Sequence, residues 1–361
     1  MRFIRPDINL DFVGRKKIAF CLSIACIAIS FLSLIIHKGP RLGIDFAGGT
    51  LIQIKFASAV PIDDIKSGLE SIGVTKSSVQ QFGQQSNHEF LVRTDISHGS
   101  DEGFTDKVKK ALESINAGGV EIRRVEMVGP QVGEDLRKKA LFAMFYALLF
   151  ITIYISGRFE LKWILSGVVA AGIIGAVYVF NLFNVSIPFL IGAALIVSLV
   201  IFWFLELKYA MGAIVALIHD VIITVGIFSI FDKEFTLPII AALLTIIGYS
   251  LNDTIVIFDR VRDNLKIMRK HKFEEILDVS INQTLSRTII TSGTTFLTVA
   301  ALFLFGGEVI NDFAFTMMIG VVIGTYSSIY VASAAALMLG VSKADLMPVK
   351  KEGEEQPESQ P

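Results

Sequence analysis

Two cysteines in 361 residues are too few for a disulfide framework, and Cys21 and Cys26 sit in too apolar a setting for a metal site. The run that holds them follows Arg15-Lys16-Lys17 and ends in Ile36-His37-Lys38. It lacks the small-residue cleavage site of a signal peptide, so it reads as a retained signal anchor. The segment Arg41 to Thr50, RLGIDFAGGT, lacks the Gly-Lys-Ser/Thr ending of a phosphate loop and leads into a strand. Gly43, Gly48 and Gly49 therefore read as turn glycines with unusual backbone angles. Charge is scarce as well, at 19% of residues against 53% hydrophobic, with 28 phenylalanines and a mean hydropathy of +0.62. A soluble globule cannot hide that much apolar surface, so the solvent is partly lipid.

A membrane span needs about 20 mostly apolar residues to cross about 30 Å of hydrocarbon. Eight stretches qualify: Ile18 to Ile36, Ala140 to Ser156, Trp163 to Leu182, Ile187 to Leu205, Ala210 to Phe231, Pro238 to Phe258, Arg287 to Phe305 and Phe313 to Leu339. Lys and Arg collect in the N-terminus, the Arg158 to Lys162 loop, the Leu207-Lys208 turn, the Arg260 to Lys272 segment and the C-terminal tail. The opposite loops hold only Lys233. Positive residues near span ends favour the cytoplasm, so both termini are expected there and the soluble segment between the first two spans outside.

That soluble segment alternates like a half-buried strand over Thr50 to Phe56 and then shows helical spacing at Ile65, Leu69 and Ile72. Val79 to Phe82 and Glu89 to Thr94 flank a turn-rich Gly83 to His88. Phe104, Val108, Leu112 and Ile115 mark a second helix, and Val120 to Val128 a last strand. The order β-α-β-β-α-β is the ferredoxin-like, split βαβ pattern.

Polar residues inside the spans carry the functional signal, because an ionisable group at mid-membrane costs about 2.5 to 3.5 kcal/mol and is kept for pairing or transport. Three places qualify: His219-Asp220, Asn252-Asp253 and Arg287. Counting from the basic ends at about 1.5 Å per residue places Asp253 and Arg287 at a shared depth of roughly 9 to 10 Å, where they can meet. Asp220, roughly 18 Å deep, belongs to a second layer. Thr291, Thr294 and Thr298 continue a polar stripe from Arg287 at spacings of four, three and four. Such a stripe serves either helix packing or a wetted path, and Gly320-x-x-x-Gly324 is a close-packing device of the same kind. An Asp facing an Arg is a switch if the two part and a lock if they stay together. An intramembrane aspartyl protease would also need two facing Asp residues, but its Gly-x-Gly-Asp context is absent.

Two further features organise the chain. ALLFITIYISGRFELKWILSGVVAAG from Ala147 matches AALIVSLVIFWFLELKYAMGAIVALIH from Ala193 at an offset of about 46, and Glu160-Leu161-Lys162-Trp163 aligns with Glu206-Leu207-Lys208-Tyr209. Val185-Ser186-Ile187-Pro188 likewise echoes Phe235-Thr236-Leu237-Pro238. A two-span hairpin, residues 157–206, therefore reads as a tandem duplicate. Residues 259–283 read as a cytoplasmic amphipathic helix and residues 341–361, rich in Glu, Gln and Pro, as a disordered tail. The expected plan is a cytoplasmic N-terminus (1–17), a first span (18–36), an extracytoplasmic ferredoxin-like domain (37–137) and a helical bundle (138–340).

Five ordered motifs, RLGIDFAGGT, VEMVGPQVGEDL, ALIHDVIIT, IGYSLNDTIVIFDRVRDN and QTLSRTIITSGTTF, resemble the SecF family of protein-translocase subunits. That resemblance implies one half of an RND-type transporter in the bacterial inner membrane, working with SecD beside the SecYEG channel and with YajC. It implies use of the proton motive force to complete export of unfolded polypeptide, with no enzyme activity, cofactor, metal or nucleic acid. The family's proton-relay Asp and Arg fall on Asp253 and Arg287 and its His-Asp pair on His219-Asp220, beside Asn252. Gly43, Asp45, Gly48, Gly49 and Gly248 fall in its structural motifs. The added hairpin departs from the family's usual six spans. A proton-coupled RND exporter of small molecules or lipids is the alternative.

Overall fold

The computed structural model describes residues 9–75, 77–83, 87–94, 103–115, 119–160, 162–181 and 187–341. A small α+β domain and a helical bundle make up the chain, and the first helix, α1 (Lys16–Ile36), belongs to the bundle. After α1 the chain turns through a short helix, α2 (Ile44–Ala47), into β1 (Gly49–Phe56), α3 (Ile62–Ser71), β2 (Ser77–Phe82), β3 (Glu89–Thr94), α4 (Phe104–Glu113) and β4 (Val120–Val128). The strands form one antiparallel sheet in the order β2-β3-β1-β4, with Ile52 opposite Val92 and Leu51 opposite Arg93. This is the ferredoxin-like topology.

The strand alternation fixes which face is dry. Ile52, Ile54, Phe56 and Val92 meet Ile65 and Leu69 of α3 and Val108 and Leu112 of α4, all nearly fully buried. Each contributes about 1.5–3 kcal/mol of burial. The opposite face turns Leu51, Leu91 and Arg93 toward one end of the bundle, across a cleft of about 430 Å³ shared with Asp232, Lys233 and Glu234.

The bundle comprises α1, α5 (Pro130–Glu160), α6 (Trp163–Asn181), α7 (Ile187–Phe204), α8 (Lys208–Ile230), α9 (Leu237–Ile267), α10 (Phe273–Phe305), α11 (Glu308–Ser327), a π-helical turn (Ser328–Ala332) and α12 (Ser333–Met338). Among the described residues seven helical segments are long and apolar enough to cross a membrane, with α11 to α12 counted as one, and α7 is an eighth, shorter apolar helix. The N-terminal segment and the last described residues lie at the same end. Phe12 N–H donates to Asp278 Oδ1 at 2.8 Å, and Lys208 Nζ donates to Gly340 O at 3.1 Å.

Two sequence expectations change in detail. The segment 259–283 forms no separate interfacial helix: α9 runs on to Ile267 and α10 begins at Phe273, with a short turn between. Continuing two helices satisfies backbone groups that an isolated helix would leave open. Residues 44–47 of the glycine-rich segment are a helical turn rather than a simple loop, with Gly48 and Gly49 at φ +77° and +118° behind it. Val185-Ser186 of the repeat and the 342–361 part of the tail lie outside the described residues.

Gly320 and Gly324 pack as the spacing suggests. A Cβ on Gly320 would stand 2.2 Å from Ile246 Cδ1 and one on Gly324 2.9 Å from Ser250 Cβ, so α11 rides directly on α9.

Candidate functional site

Two buried polar clusters lie inside the bundle, each built around an acid. The first holds His219 and Asp220 of α8, 3% and 1% exposed. His219 Nδ1 is 3.0 Å from Asp220 Oδ1, and Asp220 Oδ2 accepts from Ser250 of α9 at 2.6 Å and from Ser327 of α11 at 2.8 Å. On its other side His219 Nε2 is 3.1 Å from Ser23 of α1. Ser23 is 3.0 Å from the Tyr326 hydroxyl, which donates to Ala19 O at 2.7 Å.

The hydrogens in this chain can be counted. Tyr326 has one and gives it to Ala19, so Ser23 must give its own to Tyr326. The Ser23 contact with His219 then requires a hydrogen on Nε2. His219 thus bridges Asp220 and Ser23 through its two ring nitrogens.

The second cluster surrounds Asp253 of α9, 3% exposed. Ser292 of α10 donates to Asp253 Oδ2 at 3.2 Å, and Thr325 of α11 donates to Ser292 Oγ at 2.7 Å. One turn below Ser292 the Thr288 hydroxyl is buried and has no partner among the described residues.

A four-residue stretch that ends α11 and opens the π-helical turn touches both clusters. Thr325 reaches Ser292, Tyr326 reaches Ser23, Ser327 reaches Asp220, and the Ser328 hydroxyl accepts from Thr254 at 3.1 Å and donates to Ser250 O. The π-helical turn begins at Ser328, and such turns frequently mark functional segments.

Asp253 and Arg287 do not form an ion pair among the described residues. Asp253 takes its hydrogen bond from Ser292, while Arg287 is exposed on the outside of α10. The reason is phase. Ser280, Thr284, Thr288 and Ser292 recur every fourth residue on the buried side, and Arg287, one position before Thr288, is rotated about 100° from it. Thr294 and Thr298 share the exposed side with Arg287, Thr291 is half-buried there, and Asn252 is exposed on α9. Gly248 opens onto that side too, with nothing within 4 Å of where a Cβ would stand. Within this chain that flank is largely exposed.

Ser23, Ser250, Ser292, Thr325, Tyr326 and Ser327 carry no charge and were not singled out by the sequence reading. The four-residue spacing from Ser280 to Ser292 and the run Thr325-Tyr326-Ser327-Ser328 were the signals available for them.

Comparison with known proteins supplies the family. The model described as "Protein export membrane protein SecD/SecF, C-terminal" matches residues 107–189 and 171–342, and that of the "SecD/SecF GG Motif" matches residues 33–60. Protein translocase subunit SecF of Calditerrivibrio nitroreducens is 40% identical over 343 residues, which is 94% of this chain and 97% of that protein. The chain belongs to the SecF family. The SecF of Vibrio alginolyticus is 40% identical over 98% of both chains, and that of Escherichia coli O157:H7 37% identical over 96% of this chain and 94% of its own. The crystal structure of SecDF from Thermus thermophilus, a translocon-associated membrane protein, has 31% identity and a TM-score of 0.67 over 93% of this chain. This chain spans 39% of that longer one. As a member of the SecF family it is a multi-pass bacterial membrane protein and an accessory subunit of the Sec translocase.

Proposed function

We propose that this SecF-type chain is one half of a proton-driven machine for polypeptide export, with Asp253 as its proton-exchanging group and Arg287 as the cation that controls it. The observation that carries this reading is the placement of those two residues. Asp253 is buried with a single hydroxyl donor, while Arg287 lies one face away on an exposed flank. A guanidinium left in lipid costs about 2.5–3.5 kcal/mol, so the flank calls for a protein partner or water.

SecD is that partner, covering the side that bears Asn252, Gly248, Arg287, Thr291, Thr294 and Thr298. With the flank covered, Arg287 either swings to Asp253 and favours its ionised form or withdraws and lets it take a proton. Each proton admitted down the gradient supplies about 2.3 kcal/mol per 100 mV. His219-Asp220, tied to the same stretch of α11, is the second station. Arg287 carries charge only, since a guanidinium does not deprotonate in proteins.

In this reading both termini are cytoplasmic, in keeping with the Lys and Arg distribution, and the sheet domain is extracytoplasmic. The SecYEG channel, YajC and the unfolded exported chain are the remaining partners. The α6–α7 hairpin is the duplicate, and the carboxylate of Glu160 at the end of α5 already reaches the N–H of Tyr209 at the start of α8, 2.8 Å away. Asp253→Asn and Arg287→Met test the reading. Each abolishes the proton-dependent stimulation of export while SecD still co-purifies, and normal export at normal protein level in either variant refutes it.

A further inference from the structure

We infer that Asp45 is a positioning residue that holds the first turn of α9, so that the sheet domain and the helix bearing Asp253 are mechanically joined through the RLGIDFAGGT segment. The functional weight of this joint rests on the proton role proposed for Asp253. The joint itself rests on contacts made elsewhere.

Helix α9 has no cap of its own. Its N-cap residue, Thr236, makes no side-chain capping bond, and Pro238 in the first turn has no N–H to offer. The Leu237 N–H instead donates to Asp45 Oδ2 at 2.8 Å, from 192 positions earlier in the chain. A carboxylate there satisfies an orphan donor and faces the positive end of the helix dipole.

The same segment grips the loop just before that turn. Gly43 N–H donates to Phe235 O and Phe235 N–H to Arg41 O, both at 2.7 Å, which pairs Leu42 with Phe235 as a parallel bridge. A Cβ on Gly43 would stand 2.8 Å from Phe235 O, so glycine is what permits the approach. Arg41 bonds Asp232 at 2.6 Å and pairs with Glu234 at 3.3 Å, and Arg93 of β3 pairs with Glu234 as well. The loop from α8 to α9 is therefore bound to the domain at Asp232, Glu234 and Phe235, and α9 at its first residue, Leu237.

Behind the joint the segment is seated on α5. A Cβ on Gly133 would lie 3.0 Å from the Gly48 nitrogen, and Gly48 leads through Gly49 into β1 with no intervening loop. Ahead of it α9 is unbroken from Leu237 to Ile267, so Asp253 sits about 24 Å along a continuous helix from the capped residue. The start of α8 makes the contrast, because Glu160 caps it from within the bundle. Helix α9 takes its cap instead from the segment that opens the domain.

The test uses the full chain with its partner subunit, Cys21 and Cys26 replaced by serine and spin labels placed at Lys66→Cys on the exposed side of α3 and Lys266→Cys near the far end of α9. Asp45→Ala removes the acceptor, whereas Asp45→Asn retains a capping oxygen. The label-to-label distance distribution broadens in Asp45→Ala and stays narrow in Asp45→Asn. The proton-dependent part of export falls in the alanine variant and is retained in Asp45→Asn. An unchanged distribution in Asp45→Ala overturns the joint. A broadened one with undiminished proton-dependent export overturns its role in coupling. Normal export in Asp253→Asn instead defeats the proton reading, and the distance width then still decides the joint alone. Should Asp45→Ala fail to accumulate, Gly43→Ala, whose methyl group presses on Phe235 O, is read in the same way.

Discussion

Ser292 donates to Asp253 across the α9–α10 contact at 3.2 Å, and Arg287, five residues earlier on the same helix, is exposed and makes no ion pair with it among the described residues. The acid is thus held by a hydroxyl that can be exchanged cheaply rather than by a cation that would fix its charge. A group meant to load and unload protons needs that looseness, and a structural ion pair does not.

The hydrogen-bond chain from Asp220 through His219 and Ser23 to Tyr326 is directly observable. With the imidazole nitrogens labelled with nitrogen-15, both should report a hydrogen bond, Nδ1 with Asp220 and Nε2 with Ser23. Tyr326→Phe removes the hydroxyl that Ser23 contacts, so the Nε2 signal shifts while the Nδ1 signal holds. A non-bonded Nδ1 in the unaltered chain contradicts the described contact.

Overpacking the α9–α11 contact separates the two clusters. In Gly324→Val the side chain meets Ser250, whose hydroxyl bonds Asp220 at 2.6 Å. Thermal unfolding of the purified chain should show a loss of about 1–3 kcal/mol, the range for methyl groups forced into a packed interface. Unchanged stability means the two helices are not in the contact described.

Much of this was legible in the sequence, for reasons that differ by element. Strand Gly49–Phe56 follows from the alternation of Thr50 to Phe56 because one face of the sheet is dry and the other is not. Asp253, Asp220 and Arg287 announce themselves because charge in an apolar span is costly. The shared depth of Asp253 and Arg287 is readable from residue count, whereas whether they touch depends on azimuth, which is set by the side the neighbouring helix occupies. Ser292 and Ser327 stayed hidden because a serine in a span bonds its own backbone as readily as a distant acid. The cap of α9 by Asp45 joins residues far apart in the chain, and no local pattern encodes such a contact.

The α6–α7 hairpin, if a duplicate, can be removed. Deleting residues 161–206 and joining Glu160 to Leu207 preserves the Glu160 contact to Tyr209 that already bridges α5 and α8. The shortened chain should insert with six crossings and still co-purify with SecD, while a topology map of the full chain should give eight. Six crossings in the full chain contradict the repeat.

The central claim is that protons pass by way of Asp253. Its most direct test is proton flux into proteoliposomes holding this chain with SecD under an imposed potential, compared between the unaltered complex and Asp253→Asn. Flux in the first and none in the second is the predicted result, and equal flux in both contradicts the account.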